Sequence, residues 1–209
     1  MTNIIDALNW RYAVKKFDSK IIPQEKLEII LESLRLTPSS LGLQAWKFIL
    51  VKNQETRKKL LPASMNQNQV VEASHLLVLA RTANFSGKDT KKWAEFLAKE
   101  HQMPSDKKDG YLTMVDSYLS SVSEDQKKIW LDKQLYIALG NLMITCAIEG
   151  IDTCPMEGFN PQEYDRILGL EDKGLKSVLV CPLGYRAADD PYQNKSKARY
   201  PKEEIFLEI

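Results

Sequence analysis

The groups in this sequence that could do chemistry are cations and polar turns. Arg11, Lys15 and Lys16 crowd into Trp10-Arg-Tyr-Ala-Val-Lys-Lys-Phe17. Read as a helix, that segment puts Arg11 and Lys15 on one face. Lys195, Lys197 and Arg199 form a second cluster near the C-terminus. Cations gathered in this way suit a dianionic phosphate, the arginine supplying a bidentate fork. The alternative is a solvated helix end and a solvated tail, the commoner setting for Lys and Arg. Pro38-Ser39-Ser40, followed by Leu41-Gly42-Leu43-Gln44, offers hydroxyls and flexible backbone, or forms a helix-terminating turn and nothing more. Pro155-Met156-Glu157-Gly158-Phe159 either presents backbone N–H groups to a ligand or joins a strand to a helix. Asn66, beside an N-cap, is open to the same two readings.

Familiar catalytic signatures are missing. The sequence has no Gly-x-Gly-x-x-Gly after a strand, no Gly-Lys-Ser/Thr loop, no Gly-x-Ser-x-Gly elbow and no His-Glu-x-x-His. His75 opens a strand and His101 lies in a Lys/Glu-rich helix, neither at ligand spacing, so metal hydrolysis and triad chemistry are poor expectations. The charge balance of 29 Lys+Arg against 28 Asp+Glu argues against a nucleic-acid partner, whose phosphates demand a basic excess. A basic-tailed adaptor acting through Lys195 to Arg199 is disfavoured on that ground. The longest uncharged stretch, Gln134 to Ile148, is too short to span a membrane. The N-terminus lacks the pattern of a signal peptide, so the cytoplasm is the expected location. Cys146, Cys154 and Cys181, each in an apolar stretch, are expected to be buried free thiols.

These groups need a scaffold. With 209 residues, 44% of them hydrophobic, the chain is expected to form one domain over 1–209, without a linker or repeat, and with a peripheral helical excursion at about 82–122. Leu27, Ile30, Leu31 and Leu34 predict an amphipathic helix over Gln24 to Leu36, stopped before Pro38. Strands are expected at Lys47–Lys52, His75–Arg81, Ile151–Met156 and Ser177–Gly184. Ser64-x-x-Gln67 and Ser123-x-x-Gln126 have capping-box spacing, the second opening a long helix that stops at Gly150. Asn160-Pro161-x-Glu163 opens another. The long helix is apolar nearly all round from Leu135 to Ile148, so one sheet cannot cover it and a homodimer interface is the simplest second surface. Glu203 to Ile209 alternates like an edge strand, which could reach across a partner subunit. Irregular connections favour an α+β over an α/β sandwich.

Taken together, Arg11-Tyr-Ala-Val-Lys15-x-Phe17, Pro38-Ser-Ser-x-x-x-Gln44-x-Trp46, Ser74-His75 before a strand, Pro155-x-Glu-Gly-Phe159 and Lys197-x-Arg199-x-Pro201 are far more specific than any of them alone. In this order and at these separations the sequence resembles the FMN-dependent nitroreductase family. It is most similar to the branch of oxygen-insensitive nitroreductases, flavin reductases and dihydropteridine reductases. The resemblance covers about Asp6 to Arg199.

The resemblance implies a three-layer α+β sandwich with a mostly antiparallel sheet, a C-terminal strand exchanged in a homodimer, and two FMN molecules shared at the interface. It implies that Arg11, Lys197 and Arg199 hold the FMN phosphate, with Tyr12 and Ala13 contacting the cofactor through backbone. Lys15 would lie at the pyrimidine edge, where a fixed cation stabilises the charge of reduced flavin. Asn66 and Gln69 would hydrogen-bond that edge, and Pro38, Ser39 and Ser40 would reach the flavin of the other subunit. Within Pro155, Met156, Glu157 and Gly158, the Glu157 backbone N–H would face N5, so no catalytic side chain is required. NADH or NADPH would supply electrons, in ping-pong fashion, to small flat acceptors such as nitroaromatics, quinones, flavins or dihydropteridine. The rival implication is an FMN- or anion-binding dimer without turnover. Departures from the family pattern are Ala13 for Ser, Gly42 for Asn, Ala45 for Pro and Gln69 for Lys. Pocket residues in 93–119 do not align, and Tyr111 and Tyr118 serve either a pocket or the core.

Overall fold

The computed structural model describes residues 3–209; the first two residues of the expected 1–209 domain lie outside the described residues. The helix expected at Gln24–Leu36 is α2 (Gln24–Arg35), preceded by α1 (Ile4–Trp10), where the Asn3 side chain accepts from the Ile5 N–H at 2.8 Å. Then come β1 (Trp46–Leu50), α3 (Gln54–Leu60), α4 (Gln69–Glu72) and β2 (His75–Thr82). An antiparallel excursion of α5 (Gly87–Glu100) and α6 (Ser105–Ser121) leads to α7 (Glu124–Ile148). The chain closes with β3 (Asp152–Thr153), α8 (Pro161–Leu168), β4 (Leu175–Gly184) and α9 (Lys202–Ile205).

The sheet runs β1-β2-β4-β3 and every pairing is antiparallel, with Phe48 opposite Leu79 and Val78 opposite Val180. Because strand side chains alternate faces, Leu77, Leu79, Leu179 and Cys181 pack toward α2 and α7, while Leu76, Val78 and Val180 pack toward α3, α4 and α8. The result is an α+β sandwich of three layers. On α7, Leu131, Leu135, Ala138, Leu139, Leu142 and Cys146 line the buried face at helical spacing. The opposite face leaves Ile129, Tyr136 and Ile137 exposed. Cys146, Cys154 and Cys181 are buried free thiols.

Local expectations fared unevenly. Ser123 and Gln126 form the expected capping box on α7, and Asn160 caps α8 by accepting from the Glu163 N–H at 3.2 Å. Ser64, by contrast, caps nothing. Its hydroxyl donates to the Leu60 carbonyl and meets the Tyr164 hydroxyl at 2.7 Å in the core, so α4 starts instead at Gln69. The segment after Trp10 is not helical: Ala13 bridges Thr153 and Phe17 bridges Arg186, so Arg11 and Lys15 share no helical face. Sheet-edge pairing outcompetes the local helix there. The tail expected as a strand is α9 followed by exposed Phe206, Leu207 and Ile209. A strand needs a neighbour for its N–H and C=O groups, and among the described residues no strand of the same chain pairs with this segment.

Candidate active site

The first cation cluster is shaped by what surrounds it. Arg186, just beyond β4, forms a salt bridge to Asp152 on β3, with Nη2 to Oδ1 at 2.6 Å and Nε to the same oxygen at 3.0 Å. The Arg186 guanidinium lies over the rings of Trp10 at 4.1 Å and Tyr12 at 4.5 Å, bracketing Arg11 in sequence. Asp190 supplies a second anchor. Its Oδ2 accepts the backbone N–H groups of Lys15 at 2.7 Å and Lys16 at 2.9 Å, and its Oδ1 accepts that of Tyr192 at 2.8 Å. Burial pushes the Asp190 carboxyl up, but these backbone donors outweigh it and hold it below the ordinary carboxylate range. Gly184 permits the close approach beneath: a Cβ there would lie 2.8 Å from Phe17 Cδ1 and 3.1 Å from the Ser74 nitrogen.

The tail after Asp190 returns along this segment, and the Lys197 ammonium donates to the Arg11 carbonyl. Arg11 is thereby brought together with Lys197 and Arg199 across the length of the sequence. Burial, then Arg199, lowers the Arg11 pKa; burial, then Arg11 and Arg199, lowers that of Lys197. Arg11 Nε is buried with no hydrogen-bond partner. A buried, unsatisfied guanidinium nitrogen beside two further cations is costly unless an anion completes it. These residues therefore fit a phosphate group.

The turn Pro155–Gly158 lies on the same edge of the sheet, through the Ala13–Thr153 bridge. Met156 is fixed to β4, its N–H donating to the Val180 carbonyl at 2.8 Å and its carbonyl accepting from the Val180 N–H at 3.1 Å. The Gly158 carbonyl accepts from Gln67 Nε2 at 2.9 Å, which brings the loop carrying Asn66 to this turn. Asn66 is exposed in the left-handed region, with φ of 55°, and Gln69 is buried at the start of α4. Pro38–Ser40 stands on a different support: Gln134 of α7 accepts the Ser40 N–H at 2.7 Å, and Ser39 Oγ accepts the Gln44 N–H at 3.0 Å. Tyr111, one of the two aromatics of undecided role, donates to the Leu41 carbonyl at 2.7 Å, while the Tyr118 ring meets Trp130 edge-on.

Arg186 and Asp190 escaped the sequence reading because they border or lie in the polar tail that looks like solvated surface, and Asp152 because nothing in the expected strand Ile151–Met156 marks its distant partner. The flanking aromatics Trp10 and Tyr12 were the available signal, since aromatic faces around an arginine are a common stacking partner. Among the described residues no cluster of His, Cys, Asp and Glu could hold a metal ion, and no helix is long and apolar enough to cross a membrane.

Residues 8–185 match the model of the Nitroreductase family. The chain is 42% identical to Bacillus subtilis YfkO, provisionally named an NAD(P)H nitroreductase, over 93% of this chain and 94% of YfkO. It is 38% identical to Staphylococcus aureus SA2311, provisionally named in the same way, over 94% of this chain and 92% of that protein. Among solved structures, the nitroreductase YdfN of B. subtilis, also provisionally named, superposes with a TM-score of 0.87 at 24% identity, covering 98% of both chains. A provisionally named nitroreductase from Exiguobacterium sibiricum, solved in complex with FMN, superposes at 0.84 with 21% identity, covering 100% of this chain and 98% of that one. The sandwich is thus the nitroreductase fold, and the chain belongs to the nitroreductase family.

Proposed function

We propose that this protein is an FMN-dependent NAD(P)H oxidoreductase, working as a homodimer that reduces small flat acceptors by two electrons. The observation that carries the reading is the buried Arg11 Nε without a partner, in a cluster where Lys197 and Arg199 add charge and the nearby carboxylate Asp152 is already committed to Arg186. Arg11, Lys197 and Arg199 would hold the FMN phosphate. Tyr12 and Ala13 would meet the cofactor through backbone, and Lys15, Asn66 and Gln69 would line the pyrimidine edge. The FMN complex of the Exiguobacterium neighbour and the NAD(P)H names of the relatives support the choice of cofactor and donor.

Bound FMN would supply hydride acceptance and donation at N5. The residues of this chain bind, orient and set charge. The Glu157 N–H would present a donor toward N5, with Pro155, Met156 and Gly158 shaping the turn around it, and Lys15 would stabilise negative charge at the far end of the ring system. Proton transfer through a protein side chain is not required, in keeping with the absence of a catalytic dyad. Pro38, Ser39 and Ser40, supported on α7 away from Arg11, would reach the second flavin across the dimer. The exposed apolar face of α7 and the α1 residues Ile4, Ile5 and Leu8 support that interface. Of the two sheet edges, β3 is shielded by Ala13 while β1 is open, so β1 would accept the exchanged tail 203–209 of the partner subunit. Residues 1–209 would act as one domain with the 82–122 excursion at its periphery, in the cytoplasm, where buried thiols stay reduced. Nitroaromatics, quinones, flavins and dihydropteridine remain the acceptor classes.

The test is an anaerobic visible spectrum of the purified protein. A yellow protein that bleaches with NADPH or NADH and regains colour with a quinone or nitrofuran is the expected result, with parallel double-reciprocal lines in the steady state. A flavin that stays oxidised under excess nicotinamide would instead indicate a carrier, and a protein that remains colourless after incubation with FMN would end the flavin reading.

A further inference from the structure

One contact at the proposed hydride site has no part in the reading above. Tyr136 projects from the exposed face of α7, and its hydroxyl donates to Oε1 of Glu157 at 2.5 Å. The hydrogen bond to that carboxylate, reinforced by partial burial, pushes the phenol up to about 12, so the hydroxyl remains a donor at neutral pH. The 155–158 turn is held at successive residues by different layers of the fold. Met156 is fixed by β4 and Gly158 by Gln67, while the Glu157 carbonyl is occupied inside the turn by the Phe159 N–H at 2.9 Å. Glu157 reaches another element through its side chain, and that element is α7. The pair is exposed in the single chain, on the α7 face that the proposed homodimer would cover. Its consequence is orientation: an untethered glutamate would leave the central peptide of the turn free to rock between its two fixed neighbours.

We propose that Tyr136 is a positioning residue for Glu157, holding the carboxylate against α7 and so fixing the peptide plane whose N–H faces the cofactor. The role rests on the flavin reading and adds α7 to the elements that hold the 155–158 turn. What Tyr136 requires of position 157 is a hydrogen-bond acceptor, not a negative charge. A glutamine there would serve, and an alanine would not.

Three measurements on Tyr136→Phe, Glu157→Ala, Glu157→Gln and the Tyr136→Phe/Glu157→Ala double variant test this. They are amide hydrogen exchange of residues 155–159 without flavin, FMN affinity by fluorescence quenching, and the single-turnover rate of flavin reduction by saturating NADPH. Tyr136→Phe and Glu157→Ala should each speed exchange and slow reduction by roughly three- to tenfold, the range that one hydrogen bond controls. The double variant should be no worse than either single one, and Glu157→Gln, which keeps an acceptor, should lose less than Glu157→Ala in exchange and in reduction rate. Three results would overturn the proposal: Tyr136→Phe matching wild type, additive losses in the double variant, or Glu157→Gln as impaired as Glu157→Ala. The last would assign the effect to charge. Failure of the flavin reading looks different, because wild type itself would then leave FMN fluorescence unquenched while the exchange differences persisted. In that case the tether is a feature of the turn and the cofactor-positioning role falls.

Discussion

Two arginines separated by most of the sequence meet at the Trp10–Tyr12 segment, one as part of it and one over its aromatic rings, and they are treated in opposite ways. Arg186 is complete: a carboxylate grips two of its nitrogens, and Trp10 and Tyr12 cover its faces. Arg11, between those two aromatics in sequence, has Nε buried without a partner, and the groups that lower its pKa are burial and another arginine. A protein that places a carboxylate beside one guanidinium and withholds it from the next is keeping the second for a ligand. On the proposed reading, Arg186 holds the site's shape and Arg11 would receive the anion.

That contrast can be broken most forcefully at its structural end. Asp152→Ala strands the Arg186 charge against two rings, and we expect a loss of about 3–5 kcal/mol in denaturant-unfolding stability. A loss under 1 kcal/mol would make Arg186 no more structural than Arg11. At the other end, Arg11→Met should weaken FMN binding by about tenfold to a hundredfold, the worth of a charge-assisted contact, while the melting temperature of the flavin-free protein stays level or rises. A large fall in that temperature would put Arg11 in the same class as Arg186. If the cluster is an anion site, inorganic phosphate at ten times its dissociation constant should stabilise the flavin-free wild type by about 1.4 kcal/mol and leave Arg11→Met unaffected.

The opposite end of the proposed cofactor site sharpens the comparison from the charge side. Gln69 stands where some relatives carry Lys, so Gln69→Lys should raise the flavin midpoint potential by on the order of 30 mV, about 1.4 kcal/mol for two electrons. An unchanged potential would remove Gln69 from the pyrimidine edge. The smallest effect concerns pH. Asp190 binds its proton less readily when folded than when unfolded, so the stability it contributes is fully present above the unfolded value near pH 4 and declines as pH falls through its lowered folded value. Acid unfolding of Asp190→Asn should lack that component, and identical acid profiles for the two proteins would show that the Lys15 and Lys16 amides do not depend on this carboxylate.

Legibility from sequence followed the range of the interactions. Helices α2, α7 and α8 could be read because their signals lie within one or two turns: apolar spacing, the Ser123–Gln126 box, and Asn160 before Pro161. Strands β1, β2 and β4 could be read as apolar runs bounded by polar residues. Errors arose wherever a distant partner outbid a local preference. Ser64 has the spacing of a cap, but Tyr164, a hundred positions away, takes its hydroxyl. Arg11 to Phe17 has helical composition, but β3 and the residues after β4 pull it into bridges. Within the candidate site, the cations and the 155–158 turn were visible as residue types, whereas Asp152, Arg186, Asp190 and the Tyr136–Glu157 contact were not. Each of those depends on a partner at least 21 positions away.

The sequence by itself determined the family, the antiparallel α+β class, the buried thiols and the set of cations and turns from which a flavin site could be built. Those properties follow from patterns that repeat every two or every 3.6 residues, and from ordered motifs that survive without knowledge of contacts. Tertiary structure alone decided that Arg186 is neutralised while Arg11 is not, and that α7 reaches the 155–158 turn through Tyr136. The reason is physical: whether a charge is paired or left for a ligand depends on what burial surrounds it with, and burial brings together residues whose positions in the sequence carry no record of one another.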